Sequence, residues 1–458
     1  MTKLFEYQLC HENDLENNSM KEYDVDLGEP DKKYKVLVLK SENQIQCLPT
    51  KCTHYNAPLV NGVLHGGRLR CFAHGASFNV KTGDIEDYPG PDCLPKYKIK
   101  VDKSSGNVFL LVTKEELDIT KRLRNMISIE PAILKSLPRC LIIGSGAAGL
   151  ICLDILREAG YSSNITMITK DSFPPYDRPK LSKSPDLTID KISLRDLAFF
   201  KENKINFHMN QEVGTVDFEG QRVFCKNGQI YEYDRLVIAT GLRANSSISD
   251  SKVKGVFSIR SLENTQGLVK YLEEIKGVAE KENRKLNVII TGGSFIAMEI
   301  VCFFVGKANA TVMSRHKPYE TAFGGLVSEK IQMLHESKGV KFYIDKKFNI
   351  VEFCESKERP GYLGSVQLQD GSKWPVDVCI QAIGGSPCTS FLKNSLVKLT
   401  LDNYVYVNKN MQTNIKHVYA CGDIAQFPRA CMPGFEFTLS KHNQKLDHVN
   451  IAHWGVAS

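Results

Sequence analysis

Two pairs of metal-ligating side chains stand near the start of the chain: Cys52 with His54, then, after sixteen residues, Cys71 with His74. Thiolates and imidazoles in such a set suit two kinds of cargo. Zinc takes Cys and His in a tetrahedron, commonly with Cys beside Cys and His beside His in the sequence. A 2Fe-2S cluster of mixed ligation puts two Cys on one iron and two His on the other. Here each close pair holds one Cys and one His, so each of two loops would give one ligand to each iron. The mixed order favours the cluster, with zinc as the competing reading.

A second chemistry begins at "RCLIIGSGAAGL" (139–150), an apolar strand running into Gly144-x-Gly146-x-x-Gly149, with Ala147 and Ala148 opening the helix that follows. Glycines at these places permit a tight turn, close approach of backbone to a pyrophosphate, and packing of helix on strand; the helix N-terminus favours the anion. The next strand, "NITMITK", leads to Asp171, near the spacing of an acid that contacts a ribose. A related unit, "LNVIITGGSFIAMEI" (286–300), carries Gly292, Gly293, Ser294, Phe295, Ile296 and Ala297 through the same kind of turn. Ser294 takes the second glycine position, and its side chain is expected where backbone should approach the pyrophosphate. The strand after it ends in Arg315, His316 and Lys317 rather than an acid. Basic residues there suit a 2′-phosphate and mildly favour NADPH over NADH; a solvated basic loop is the competing reading.

The ligand loops "CTHYNAPL" and "CFAHGASFNVKTG", with "YPGP" beyond them, resemble those of Rieske ferredoxin-type domains over about residues 5–112. Rieske proteins of the respiratory type add a disulfide between the loops and hydroxyls that donate to the cluster sulfurs. This sequence has Ala57 and Ala73 at the first pair of places and Ala76 and Phe78 at the second. The resemblance therefore implies a bridge-free cluster at the low end of the potential range.

Three later stretches, with the first glycine loop, resemble the FAD-binding segments of two-dinucleotide-domain flavoprotein reductases. They are "PPYDRPKLSK" (174–183), "YDRLVIATG" (233–241) and "NIKHVYACGDIA" (414–425). The resemblance implies that Arg178, Ala239, Thr240, Gly241 and Gly422 border the FAD, and that Asp423 bonds its ribityl chain or phosphate. It implies that Lys183 lies beside the flavin and pairs with Glu299, and that Trp454 of "NIAHWGVAS" reaches the ring. "CIQAIGGSPCTSFL" (379–392) resembles the turn that closes the NAD(P) domain, with Gly384 and Pro387 in place. A Rieske domain fused ahead of such a reductase resembles the apoptosis-inducing factor-like 3 group of ferredoxin-reductase-like flavoproteins, over about residues 5–458. That group implies hydride transfer from NAD(P)H to FAD, single electrons to the 2Fe-2S cluster, and onward transfer to an acceptor that the sequence does not name. A role in programmed cell death is implied by the resemblance alone. The rival reading is an FAD-binding redox sensor or pro-apoptotic signalling protein with little turnover. Members continue past the "HW" segment into a C-terminal interface domain; its expected absence here removes support for a dimer.

These residues need scaffolds that hold them. Residues 1–113 read as all-β, from the runs "KYKVLVLK", "QIQCLPT", "KYKIKVD" and "NVFLLVT" with turn residues between them. Residues 114–138 read as a charged linker with one short helix. From Arg139 strands alternate with helices, the α/β pattern. The expected architecture is multidomain: an all-β Rieske domain (1–113), the linker (114–138), and an α/β Rossmann-like reductase. The reductase divides into an FAD-binding domain in two parts (139–262 and 387–458) around an NAD(P)-binding domain (263–386).

Composition sets the outer limits. A net charge of +7 over 458 residues, with no Lys/Arg block, gives no support for nucleic-acid binding. No run of eighteen apolar residues suggests a transmembrane helix. The acidic N-terminus has neither an apolar leader nor an Arg-rich presequence, so the expectation is cytoplasmic, with mitochondrial association only by resemblance. The 14 cysteines then read as thiols or metal ligands. Cys152 has no partner at C-x-x-x-x-C spacing, which argues against thiol–disulfide chemistry of the disulfide-reductase type.

Overall fold

The structure, a computed structural model, describes residues 3–29, 32–87, 89–124, 138–246 and 253–428, and the backbone of 448–450. It divides into two compact units, one built on residues 3–124 and also taking in Ile151–Ser163, the other on residues 138–150 and 164 onward.

The first unit is all-β among its first 112 residues, apart from single 3-10 turns. Phe5–His11, Asn107–Val112 and Lys98–Val101 form one antiparallel sheet, and Ser19–Val25, Tyr34–Ser41 and Gln44–Pro49 form another. Strand Tyr34–Ser41 shows why its sequence is apolar without alternation. Leu37 and Leu39 enter the core that holds Cys52 and Cys71, while Val36 and Val38 enter a second core with Cys47, Val108 and Leu110. Successive side chains of a strand point to opposite faces, and both faces are covered here. A third sheet uses four strands of three residues each: Val63–His65, Arg68–Arg70, Ser77–Asn79 and Ile85–Asp87. Strands this short carry no readable alternation, so the sequence does not announce them.

The segment expected to be a linker starts as one and then is fastened. Its short helix, Lys114–Asp118, is capped by Thr113, whose hydroxyl accepts from the Glu116 N–H while the Glu116 carboxylate takes the Thr113 N–H. Beyond it, Arg122 and Cys93 exchange backbone hydrogen bonds of 3.0 and 2.9 Å. The Arg122 guanidinium donates to Leu94 O, Thr82 O and the Asp84 carboxylate.

Residues 138–428, most of which form the second unit, repeat one plan twice. In the first half, β1 (Cys140–Ile143), α1 (Ala147–Glu158), β2 (Ile165–Ile168), α2 (Pro179–Lys183), β3 (Ile205–His208) and β4 (Arg235–Ile238) follow in order. The sheet runs β3-β2-β1-β4 and ends on Val418–Ala420, with every pairing parallel. The second half has β5 (Val256–Ser258), α3 (Leu262–Lys281), β6 (Leu286–Thr291), α4 (Phe295–Phe304), β7 (Ala308–Ser314), α5 (Glu320–Glu336), β8 (Lys341–Ile344) and β9 (Val378–Gln381). Its sheet runs β8-β7-β6-β9-β5, again parallel. Each half inserts a three-stranded antiparallel meander before its last labelled strand, residues 213–232 before β4 and 350–375 before β9. In both sheets the chain order reverses beside the strand that carries the glycine turn, β1 or β6. A crevice opens at such a switch point beyond the carboxyl ends of the strands. Strands β1 and β9 are buried at every residue, as parallel strands covered on both faces are. Among the described residues no helix is long and apolar enough to cross a membrane.

Candidate functional site

The two ligand loops close in the same way. Cys52 N–H donates to Ala57 O (2.9 Å) and Asn56 N–H returns to Cys52 O (3.0 Å); Cys71 N–H donates to Ala76 O (2.8 Å) and Gly75 N–H returns to Cys71 O (3.1 Å). Each return falls on a left-handed residue, Asn56 at φ 56° and Gly75 at φ 77°. Asn and Gly are the residues that take this conformation at least cost. The loops sort their ligands by kind. The rings of His54 and His74 meet edge to face with centroids 4.9 Å apart, and the Cys52 thiol has Cys71 as a close electrostatic neighbour. Among the described residues no three His, Cys, Asp or Glu side chains converge on one ion position. Cys paired with Cys and His with His fits a two-iron cluster better than one tetrahedral zinc.

Burial, with Cys71 alongside, pushes the Cys52 thiol up to about 11; a bound cation is what would hold this pair as thiolates. Tyr55 stacks on the His54 ring at 4.0 Å, and Gly90 of a third loop approaches so closely that a Cβ there would lie 3.3 Å from His54 Cδ2. Ala76 and Phe78 are fully buried in the core beneath, so those two places offer the cluster no hydroxyl. The described cysteines are all free, and Ala57 and Ala73 leave the loops without a bridge.

At the first glycine turn the three glycines do different work. A Cβ on Gly144 (φ 109°) would meet Ala239 O at 2.3 Å, and one on Gly149 would meet Gly144 O at 2.0 Å. A Cβ on Gly146 would have nothing within 4 Å. Two glycines thus let strand and helix touch, and the third keeps a hollow clear above the helix N-terminus, which fits a pyrophosphate. Ala147 and Ala148 form the first turn of α1, and Gly422 (φ 74°) comes so near that a Cβ on it would lie 2.4 Å from the Ala148 Cβ. Thr240 donates to Cys388 O at 3.0 Å, and Gly241 turns at φ 63°.

Asp171 differs from its expected role. Its carboxylate is buried, is ion-paired with Arg178 and lies 3.4 Å from the Tyr176 hydroxyl. An acid engaged in this way holds Arg178 rather than standing open to a ribose. Arg178 also donates to the Tyr176 hydroxyl (2.9 Å) and to Arg260 O (2.8 Å). Arg260 went unnoticed in the sequence. It follows β5, donates to Leu242 O at 2.9 Å and stands 3.8 Å from Asp423. Burial, then the neighbouring Arg178, lower the pKa of Arg260. Burial alone would lower that of Arg178 too, but Asp171 raises it overall. Two half-buried guanidiniums side by side favour an anionic guest. The only sequence signal for Arg260 is its place between a strand and the capping residue Ser261 of α3.

On the nucleotide side, Lys183 Nζ lies 2.9 Å from Glu299 Oε1, joining α2 to α4. Ser182, another residue the sequence did not flag, donates from Oγ to Glu299 Oε2 at 2.5 Å. The second turn matches the first: a Cβ on Gly292 (φ 110°) would meet Ala382 O at 2.2 Å, and one on Gly293 would meet His316 O at 3.2 Å. The Ser294 hydroxyl donates to Ala382 O at 3.3 Å, just beyond the end of β9. Ala297 is fully buried where α4 packs on the sheet. Phe295 and Ile296 are exposed, and the Phe295 ring stands 4.6 Å from Tyr319. Arg315 is exposed beyond the end of β7. The basic turn is not without an acid: Glu320 accepts the Lys317 N–H at 3.1 Å and lies 4.0 Å from His316. Trp454 lies outside the described residues.

Comparison with known proteins agrees with this geometry. Residues 5–98 match the Rieske [2Fe-2S] domain and residues 138–456 the pyridine nucleotide-disulphide oxidoreductase family. The human protein named apoptosis-inducing factor 3 is 36% identical over 457 residues, 99% of this chain and 70% of the relative. Rubredoxin-NAD(+) reductase of Pseudomonas putida is 28% identical over 62% of this chain and 71% of its own length. Among solved structures, the covalent putidaredoxin reductase–putidaredoxin complex overlays with a TM-score of 0.57 at 24% identity, over 64% of this chain and 68% of that one, a likeness of fold. This chain belongs to the pyridine nucleotide-disulphide oxidoreductase family as an FAD-dependent NAD(P)H oxidoreductase with a Rieske domain ahead of it, the arrangement of its apoptosis-inducing factor 3 relatives.

Proposed function

We propose that the chain takes reducing equivalents from NAD(P)H, with NADPH mildly preferred, and passes them singly through its own Rieske centre to a one-electron acceptor. Bound FAD would supply the change from a two-electron donor to one-electron steps, and the 2Fe-2S cluster would supply the carrier. The observation that carries this reading is the 2.9 Å Lys183–Glu299 pair between the flavin-side and nucleotide-side helices. The ammonium provides positive charge where electron density arrives with hydride, and Glu299, held by Ser182, keeps it placed. Gly146 keeps room for the FAD pyrophosphate, with Arg178, Arg260 and Asp423 around it. Residues 139–262 with 387–458 would hold FAD, and 263–386 the nucleotide. Ala76 and Phe78, without hydroxyls, support a low cluster potential suited to a flavin donor. Carrying donor and carrier on one chain raises the effective concentration of one at the other.

One relative is named a rubredoxin-NAD(+) reductase, and a link to cell death rests on the name of the apoptosis-inducing factor 3 relatives alone. Engagement of the Ser294 hydroxyl by Ala382 O supports turnover over a sensor role. Purified anaerobically and mixed with NADPH or NADH, the protein should bleach its flavin and then develop the paramagnetic signal of a reduced Rieske centre. Flavin that stays oxidised with both nucleotides would sink the proposal. Full zinc occupancy without iron or sulfide would overturn the cluster assignment separately.

A further inference from the structure

Tyr319, the residue before α5, has a left-handed backbone (φ 57°, ψ 12°). A bulky side chain takes that conformation only at a cost. Among the described residues thirteen non-glycine residues have positive φ; seven are Asn, and Tyr319 is the only Phe, Tyr or Trp. Were backbone geometry the whole requirement, Asn or Gly would meet it better. The ring is therefore what this position keeps at the expense of its backbone. Its surroundings show why. The Tyr319 N–H donates to Gly293 O of the second glycine turn at 2.8 Å. A Cβ on Gly293 would meet His316 O at 3.2 Å and Lys317 O at 3.4 Å, so the glycine lets this loop lie on the turn. The Tyr319 ring stands 4.6 Å from Phe295, and Phe323 lies 5.8 Å from both rings. Burial, then the nearby Glu299, push the Tyr319 hydroxyl up to about 12, so it stays neutral near that carboxylate.

Phe295 opens α4, and Glu299 follows it at i+4, so the two share one face of that helix. Glu299 is the carboxylate that holds Lys183 at 2.9 Å. Phe295 is half exposed, and a ring on the first turn of a helix can change rotamer unless something packs against it. We propose that Tyr319 is a positioning residue for hydride transfer: its ring props the Phe295 ring on the α4 face that carries Glu299, where nicotinamide must meet the flavin. The inference rests on the proposed function, which puts Lys183 and Glu299 where hydride arrives. The left-handed backbone is what aims the ring. A right-handed or extended residue 319 would send its side chain out in another direction.

The test mixes the full, FAD-loaded chain with a series of NADPH or NADH concentrations and reads the limiting rate of flavin bleaching. Tyr319→Asn suits the backbone and removes the ring; the limiting rate should fall about tenfold or more. Tyr319→Phe keeps the ring and should recover the parent rate to within about twofold. Phe295→Ala, at a half-exposed position, should slow bleaching as well. Adding Tyr319→Asn to it should cost little more, because a residue that acts through another is coupled to it. A second readout needs no turnover. In chain labelled with fluorophenylalanine, the Phe295 fluorine resonance, identified by its loss in Phe295→Ala, should shift in Tyr319→Asn. Bleaching at the parent rate in Tyr319→Asn or in Phe295→Ala overturns the proposal, as do additive losses in the double variant or an unmoved Phe295 resonance. A melting temperature that falls while the rate stays put marks a merely structural residue and overturns it too. A parent flavin that neither nucleotide bleaches is a different result, which fells the proposed function and this inference with it.

Discussion

At the residue scale the site is a set of side chains held by others. Lys183 is placed by Glu299, and Glu299 by Ser182 and Lys183 together. Removing the ammonium with Lys183→Ala should slow flavin bleaching by NAD(P)H about 100-fold, the size of a lost preorganised charge. Ser182→Ala should cost less, about tenfold, and Ser182→Thr should recover most of it, because the hydroxyl is what Glu299 uses. Stopped-flow absorbance reads both, and equal rates in Ser182→Ala and the parent would remove Ser182 from the argument. Asp171→Asn makes a different prediction. It leaves the half-buried Arg178 guanidinium beside Arg260 without its carboxylate, at a cost of about 1–2 kcal/mol, read as a fall of a few degrees in melting. The Cys and His ligands and the glycines were legible in the sequence because their chemistry admits few residue types. Ser182 and Arg260 were not, since each works through partners distant in sequence, Glu299 and Asp423. Asp171 was found but misread: spacing located the acid and could not show that Arg178 faces it.

At the scale of elements, the glycine turns separate packing from binding. Gly149→Ala puts a methyl 2.0 Å from the Gly144 carbonyl and should unseat α1 and lower stability. Gly146→Val puts bulk where nothing stands within 4 Å, so the protein should fold and melt as before yet retain little flavin after desalting. Flavin-to-protein ratio, with melting temperature compared between flavin-free proteins, distinguishes the two; a Gly146→Val protein that keeps full flavin would remove the cradle from this place.

The fastened start of the linker carries a pH dependence. Burial alone would lift the Asp84 carboxyl, but the Arg122 guanidinium bonded to it, with Thr82, holds it below the usual carboxylate range. A depressed acid contributes stability that is complete above its unfolded pKa, about 4, and is lost as pH falls through the lower folded value. Protease cleavage after residue 118 should therefore rise below about pH 4, and Arg122→Ala should show the same cleavage already at neutral pH. The long strands and both Rossmann turns could be read from the sequence. The three-residue strands around the cluster and the last strand of each meander could not, because three residues show no period.

At the scale of the whole molecule, the order of electron flow is separable by mutation. Cys52→Ser removes a cluster ligand on one unit and leaves the other unit intact. Flavin should still bleach with NAD(P)H at the parent rate, and the Rieske signal should vanish along with transfer to any one-electron acceptor. Loss of flavin reduction in this variant would mean that the two centres do not act in the order proposed. The fold class was legible because two texture changes, from short β runs to a charged stretch to alternating strands and helices, mark the units.

The matched closures of the two ligand loops bear on how the protein is made. Four backbone hydrogen bonds and two left-handed residues set where the thiols and imidazoles stand, and none of these involves a metal. Small zinc domains fold only as they capture their ion. This socket is shaped by peptide groups and a fully buried core. Cluster loading is then expected to be a docking event onto a ready-made receptor, with the pace of maturation following the delivery of iron and sulfide rather than the folding of the chain.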